Sequence, residues 1–137
     1  MENKFKKIVL GVLVTSTFTC ILLLTFQSPE ATTKLSEAVR LWLEQLGILR
    51  ESHTIRSQAH IIMYFLFGII LTCFGFEKNW RGNVIALLGA SAGLLDECLK
   101  IALPTREFDF GDWLRDCLGV ALAWLLLSAI RFLRRKD

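Results

Sequence analysis

The sequence predicts an all-α integral membrane protein, with four transmembrane helices plus an amphipathic extracytoplasmic helix between the first and the second. Hydrophobic residues make up 53% of the 137 residues, and the mean hydropathy is +0.48. That is too apolar for an ordinary soluble domain of this size. The chain also contains four mostly apolar runs of roughly 20 residues, the length that a helix needs to cross a bilayer. We interpret 1–137 as a single membrane domain.

The first predicted span follows a basic start, so a signal peptide is an alternative interpretation. No small-x-small cleavage pattern follows it closely, which favours an uncleaved anchor. The later runs are apolar except near their ends. The predicted spans are, in chain order, residues 8–26, 59–76, 83–103 and 112–133.

The basic residues flanking the spans predict a multi-pass protein of the cell membrane with both termini cytoplasmic. The inside then carries nine basic residues: Lys4, Lys6, Lys7, Lys78, Arg81, Arg131, Arg134, Arg135 and Lys136. The outside carries five: Lys34, Arg40, Arg50, Arg56 and Arg106. The basic residues do not form one stripe, so we expect no nucleic acid partner.

The segment between the first two spans predicts an amphipathic helix. It begins with Ser28-Pro29-Glu30, a capping serine followed by proline and an acid in the first turn. A helix on the outer membrane surface, anchored by Trp42, and a helix packed on the other spans both fit this pattern. Apolar residues recur at helical spacing: Leu35, Ala38, Val39, Trp42, Leu46 and Leu49.

Charged residues concentrate between the third and fourth spans, where nine of the 21 residues in 96–116 are charged. A charge within the bilayer costs at least roughly 3 kcal/mol unless it is paired or hydrated. Helical spacing places these groups and several glycines on faces where helices pack. The sequence therefore predicts one outward-facing ligand-binding pocket. Its predicted lining is His60, Tyr64, Asp96, Glu97, Lys100, Arg106, Asp109, Asp112, Arg115 and Asp116.

An alternative is that these charges only neutralise one another in local pairs. Those pairs would be Lys100–Asp96, Arg115–Asp112 and Arg106–Asp109.

The residue types favour neither a metal nor a cofactor. A zinc site needs more nitrogen or sulfur ligands than one histidine supplies. Carboxylates alone would hold Mg²⁺ or Ca²⁺, but three cations in the same pocket, Lys100, Arg106 and Arg115, would oppose a metal ion. The four cysteines lie in apolar runs without a Cys-x-x-Cys pair, which predicts packing roles.

At these residues the chain resembles the VanZ-like family, over residues 26 to 125. The family is similar in having an acidic pair, a Gln a few residues on, an Arg in the loop, and then Asp followed by Asn or Asp and Gly. Here those positions are Asp96, Glu97, Lys100, Arg106, Asp112, Asp116 and Gly119. The upstream motif reads Arg56, Ala59, His60, Tyr64 and Gly68. Lys100 stands where the family usually has Gln, which puts the ligand specificity at that position in doubt.

The resemblance implies a bacterial cell-envelope membrane protein. The founding member is associated with resistance to teicoplanin, a lipidated glycopeptide antibiotic, without the precursor substitution that gives vancomycin resistance. The family has no established reaction.

Three further hypotheses accompany the pocket. A non-enzymatic envelope factor would bind membrane lipids, a lipid-linked cell-wall intermediate or a lipoglycopeptide, with Arg106 as anion clamp. An enzyme would use His60 as general base and Asp96 as acid, although no residue is placed as a catalytic nucleophile. A transporter would relay ions through Asp96 and Asp116 and would need a homo-oligomer. A docking role for the helix around Trp42 is the remaining alternative.

Overall fold

The computed structural model describes residues 2–48, 52–104 and 106–135, which form five α-helices and no strand. The helices are α1 Glu2–Thr25, α2 Pro29–Gln45, α3 Ser52–Glu77, α4 Gly82–Lys100 and α5 Phe110–Leu133. Four of them contain segments long and apolar enough to cross a membrane: Lys4–Thr25, Ser57–Glu77, Gly82–Lys100 and Phe110–Leu133. The predicted all-helical class with four spans is confirmed.

The ends of α4 and α5 differ slightly from the predicted spans. Helix α4 ends at Lys100, and three tight turns carry the chain to Leu103, just before Pro104. Helix α5 begins at Phe110 because the Asp109 carboxylate accepts hydrogen bonds from the next free backbone N–H groups. The predicted boundaries at 103 and 112 follow hydropathy alone, which does not register these caps.

Helix α3 is the centre of the bundle and contacts each of the other four helices. Its closest partner is α5, since Gly119 lies directly against the α3 backbone. A Cβ at Gly119 would lie 2.6 Å from the Ile61 carbonyl oxygen and 2.8 Å from the Phe65 nitrogen. Glycine therefore allows the two backbones to touch, as in other membrane helix pairs.

Helix α4 also packs on α5 through glycines. A Cβ at Gly89 would meet the Val120 side chain at 2.5 Å, and one at Gly93 would lie 3.0 Å from the Asp116 Cβ. The predicted packing faces of these helices are confirmed. This packing brings the polar ends of α3, α4 and α5 together.

Helix α2 lies between the first two spans in the chain and packs on α3. The predicted helix start is confirmed: the Ser28 hydroxyl accepts a hydrogen bond from the Ala31 N–H at 3.2 Å, and Pro29 follows the cap. Trp42 is exposed. The position of α2 on a membrane surface stays a prediction.

Candidate functional site

A cavity of about 710 Å³ lies where α2 approaches α1, α3 and α4. We call it the α2-end cavity. The apolar residues of its lining, which we call the apolar wall, are Ile21, Leu24, Leu35, Val39, Leu43, Ile55, Ile62 and Met63. The rest of the lining is mostly polar or charged, and we call it the polar wall; it includes Arg106, Glu107 and Asp109 of the loop between α4 and α5.

The predicted pocket residues divide into two groups. Those that line the cavity are His60, Tyr64, Asp96, Lys100, Arg106, Asp109 and Asp112. Glu97 and Asp116 are fully buried beside them and do not line it. Arg115 does not line it either, and its guanidinium donates a hydrogen bond to Asp112 at 2.6 Å. The predicted Arg115–Asp112 pair is confirmed.

His60 lies between two carboxylates of α5. Its Nδ1 is 2.9 Å from Asp116 Oδ1, and its Nε2 is 3.4 Å from Asp112 Oδ2. The close packing of Gly119 on α3, one turn from Asp116, places the imidazole there. The imidazole is therefore hydrogen-bonded at Nδ1 and lies beside the Asp112 carboxylate, while it still borders the cavity.

Asp96 contacts α1 and not its own helix. The Thr25 hydroxyl donates a hydrogen bond to Asp96 Oδ1, and both residues are buried. Sequence analysis did not identify Thr25 as a site residue. Its position could have indicated this role, because Thr25 is a polar residue one helical turn after the apolar Ile21, at the end of an apolar run.

Lys100 pairs with Glu97, so the alternative Lys100–Asp96 pair is wrong. The ammonium group donates to Glu97 Oε1 and lies 3.8 Å from Asp112 Oδ2. Glu97 Oε2 also accepts a hydrogen bond from the Asp109 backbone N–H at 3.1 Å. Spacings of three and four residues both allow a pair on a helix, and here Asp96 is turned towards Thr25.

Arg106 has neutral hydrogen-bond partners. Its Nη2 donates to the Gln27 carbonyl at 3.0 Å and to the Thr32 hydroxyl at 2.8 Å. Within the described residues it forms no ion pair, so the alternative Arg106–Asp109 pair is wrong. The Asp109 carboxylate instead accepts the Gly111 N–H at 2.7 Å, as the cap of α5.

Two buried polar atoms have no hydrogen-bond partner among the described residues that surround the site: Tyr64 Oη and Asp116 Oδ2. His60, Asp96, Glu97 and Asp116 each offer one atom suited to a metal ion, and these atoms lie within 4.8 Å of one another. Sequence analysis predicted these four residues in one pocket, but it predicted no metal there.

Other residues singled out in the sequence contribute less. The described cysteines are free thiols. The side chain of Arg56, which belongs to the upstream motif, lies outside the described residues.

Fold and site together define an all-α protein with four apolar helices of membrane-spanning length and a buried charged centre at one end. The family model described as VanZ/LLP1 matches residues 5–132. The chain therefore belongs to the VanZ/LLP1 family. Neither a curated protein nor a solved structure gives a significant match.

Proposed function

We propose that this protein binds the anionic head group of a membrane lipid or of a lipid-linked cell-wall intermediate in the α2-end cavity. The observation that supports this most is one cavity lined both by apolar side chains and by an arginine without a carboxylate partner in the described structure. An amphiphile needs both kinds of surface side by side.

The size of the cavity suits part of a lipid. Ligand sites commonly measure about 300–1,000 Å³, and the volume of about 710 Å³ falls in that range. A head group with the first carbons of its chains would fit, with the chains on the apolar wall. Burying those carbons contributes about 25 cal/mol for each Å² of apolar surface.

Arg106 is the proposed anion clamp. A guanidinium carries five N–H donors and grips phosphate with two parallel bonds. The described hydrogen bonds involve Nη2 alone. They tether the α4–α5 loop to the junction of α1 and α2, so the arginine is oriented before a ligand arrives. Asp96 and Asp112, on the same cavity wall, would accept hydrogen bonds from hydroxyl or amino groups of the head group.

The orientation of the site rests on the basic residues. Nine of them flank the spans on the side of the termini and five flank the side of α2, a bias that supports a cavity at the outer face of the cell membrane. The ligand would then enter from the outer leaflet. Teicoplanin carries a lipid tail, so shielding or binding at this face is the route by which such a protein would contribute to resistance.

Native mass spectrometry of the purified protein with phosphatidylglycerol and with phosphatidylcholine tests the clamp. We expect the anionic lipid to bind more tightly, and Arg106→Ala to weaken it roughly 10- to 100-fold, because a hydrogen bond to a charged group contributes about 1.5–3 kcal/mol. Arg106→Lys should retain part of the affinity, since it keeps the charge and loses the planar fork.

Arg40→Ala is the matched control. Arg40 lies on α2 outside the cavity lining, and it is paired with Glu37 and Glu44 at 2.9 Å each. Equal binding of phosphatidylglycerol by the wild type, Arg106→Ala and Arg40→Ala would reject the clamp.

The second candidate is an enzyme acting on a lipid-linked ester. The specific observation is His60, which borders the cavity while Asp116 holds its Nδ1 at 2.9 Å, an arrangement that orients a general base. Release of a water-soluble product from a lipid-linked substrate, lost in His60→Gln, would establish it. If the wild type releases no product, the enzyme hypothesis is rejected.

A further inference from the structure

We propose that the buried charged centre is a binding site for one divalent transition-metal cation, beside the polar wall of the α2-end cavity. The proposed ligands come from three helices and are His60, Asp96, Glu97 and Asp116. This site is independent of the lipid proposal and would stand without it.

The geometry is close to that of a coordination sphere. Nitrogen and oxygen ligands bind such cations at about 2.0–2.2 Å, so ligands on opposite sides of an ion lie about 4.0–4.4 Å apart. The four candidate atoms already lie within 4.8 Å of one another. Inward shifts of a few tenths of an ångström would complete the site, which side-chain torsions supply.

The local charge is unbalanced without a cation. Asp96, Glu97 and Asp116 are at most 1% exposed, and Asp112 lies beside them. Against these four carboxylates stand two paired cations, Lys100 and Arg115. Two negative charges are left over when His60 is neutral, and a buried charge without a partner is strongly unfavourable. A divalent cation would balance them.

Two buried polar atoms without hydrogen-bond partners among the described residues support a ligand at this site. Asp116 is completely buried, yet its Oδ2 has no hydrogen-bond partner among the described residues. The hydroxyl of Tyr64, a residue that is only 1% exposed, also has none, although Tyr64 lines the cavity. A metal ion would take the free oxygen of Asp116. A water on that ion would meet the phenol.

In the sequence analysis, the positive charges of Lys100, Arg106 and Arg115 argued against a metal ion. Two of these three side chains are bonded to groups outside the proposed ligands. Arg106 is bonded to Gln27 and Thr32, and Arg115 to Asp112. Lys100 is the exception, since it shares the Glu97 carboxylate with the proposed ion. Lys100 should therefore weaken the site without abolishing it.

The donor set selects the class of cation. Imidazole nitrogen suits Zn²⁺ and other transition metals, while carboxylate oxygen suits Mn²⁺, Mg²⁺ and Ca²⁺. The single histidine argued against zinc in the sequence analysis, but the three carboxylates gathered around it also supply oxygen ligands that zinc accepts. This set therefore favours Mn²⁺ or Zn²⁺ over Ca²⁺ and Mg²⁺. Two of the proposed ligands, His60 and Asp96, border the cavity, so the ion would also be accessible from it.

Titration calorimetry on the full chain in detergent, stripped with chelator and then given MnCl₂, ZnCl₂, CaCl₂ or MgCl₂ without lipid, tests the site. We expect one saturable equivalent of Mn²⁺ or Zn²⁺ per chain, and a higher thermal midpoint with it. His60→Gln and Asp116→Asn should each weaken binding at least about tenfold, the scale found even for groups that only orient metal ligands.

Two further variants separate a real site from general effects. Glu107→Gln removes an exposed cavity carboxylate outside the cluster and should leave the affinity unchanged. Lys100→Gln removes the competing charge and should tighten binding, which damage to the fold would not do. If Asp116→Asn does not fold, His60→Gln and Lys100→Gln carry the test. No saturable binding by the wild type, or equal binding by all the variants, would overturn the proposal.

Discussion

At the scale of single residues, the geometry of the site depends on which of two nearby carboxylates Lys100 pairs with. Lys100 is within helical reach of both Asp96 and Glu97, and it bonds Glu97. Asp96 accepts instead from Thr25, 71 residues away in the chain. Helical spacing predicts that these groups share a face, and no local rule decides the pairing, because the deciding contact comes from another helix.

Asp109 provides a prediction at this scale. Its carboxylate caps α5 by accepting the Gly111 N–H at 2.7 Å and the Asp112 N–H at 3.3 Å. We expect Asp109→Ala to lower the free energy of unfolding by about 1 kcal/mol, whereas Asp109→Asn should retain most of it. Thermal unfolding in detergent measures this, with Glu107→Ala as the neighbouring control. The same midpoint for Asp109→Ala and Glu107→Ala would show that the cap does not contribute.

At the scale of helices, the sequence predicted correctly which helices form and which of their faces pack. It was less informative about where each helix ends and which other helix each face contacts. Apolar length predicted the four spans, and Ser28-Pro29 predicted the start of α2. Glycine spacing predicted the packing faces of α4 and α5. Which helix covers each face depends on contacts between distant segments, so the hydrogen bonds from Arg106 to Gln27 and Thr32 could not be predicted.

The contact between α3 and α5 can be tested through Gly119. A methyl group there would meet backbone atoms of α3 at 2.6–3.0 Å, and backbone cannot move aside as a flexible side chain can. We expect Gly119→Ala to cost about 1–3 kcal/mol, as overpacking generally does, and to lower the melting temperature and the yield of monodisperse protein.

Gly11→Ala is the matched control for Gly119→Ala. It adds the same methyl group to a span, but at an ordinary 3.6 Å from the Phe74 ring. Its melting temperature should stay close to that of the wild type. Equal melting temperatures for the two variants would contradict direct backbone contact between α3 and α5.

At the scale of the whole molecule, the four-helix arrangement gathers the charged groups of α3, α4 and α5 at one end, beside the cavity that α2 borders. Lipid is a poor solvent for these charges, so burial between helices is the arrangement that lets them persist. The number of spans and the family follow from sequence. Helical faces also predicted a pocket shared by the second, third and fourth spans. The lining residues that α1 and α2 supply, and the short distances among His60, Asp96, Glu97 and Asp116, could not be predicted, because they depend on contacts between distant segments.

Antibiotic susceptibility tests the proposed role at this scale. The protein would be expressed in a sensitive Gram-positive host as wild type, Arg106→Ala and Asp116→Asn, with membrane levels matched. We expect the wild type to raise the inhibitory concentration of teicoplanin but not of vancomycin, and both variants to lose the effect. Unchanged susceptibility with well-inserted wild-type protein would exclude resistance as its role in that host.

The central claim is that an anionic lipid occupies the α2-end cavity, and photo-crosslinking locates such a lipid directly. The probe is phosphatidylglycerol with a diazirine near the start of one acyl chain, at a low ratio of lipid to protein. We predict saturable adducts on Leu43, Ile55 and Met63 of the apolar wall, and their loss in Arg106→Ala. Adducts confined to exposed outer faces, such as Leu87 and Leu122, and unaffected by that substitution would contradict the claim.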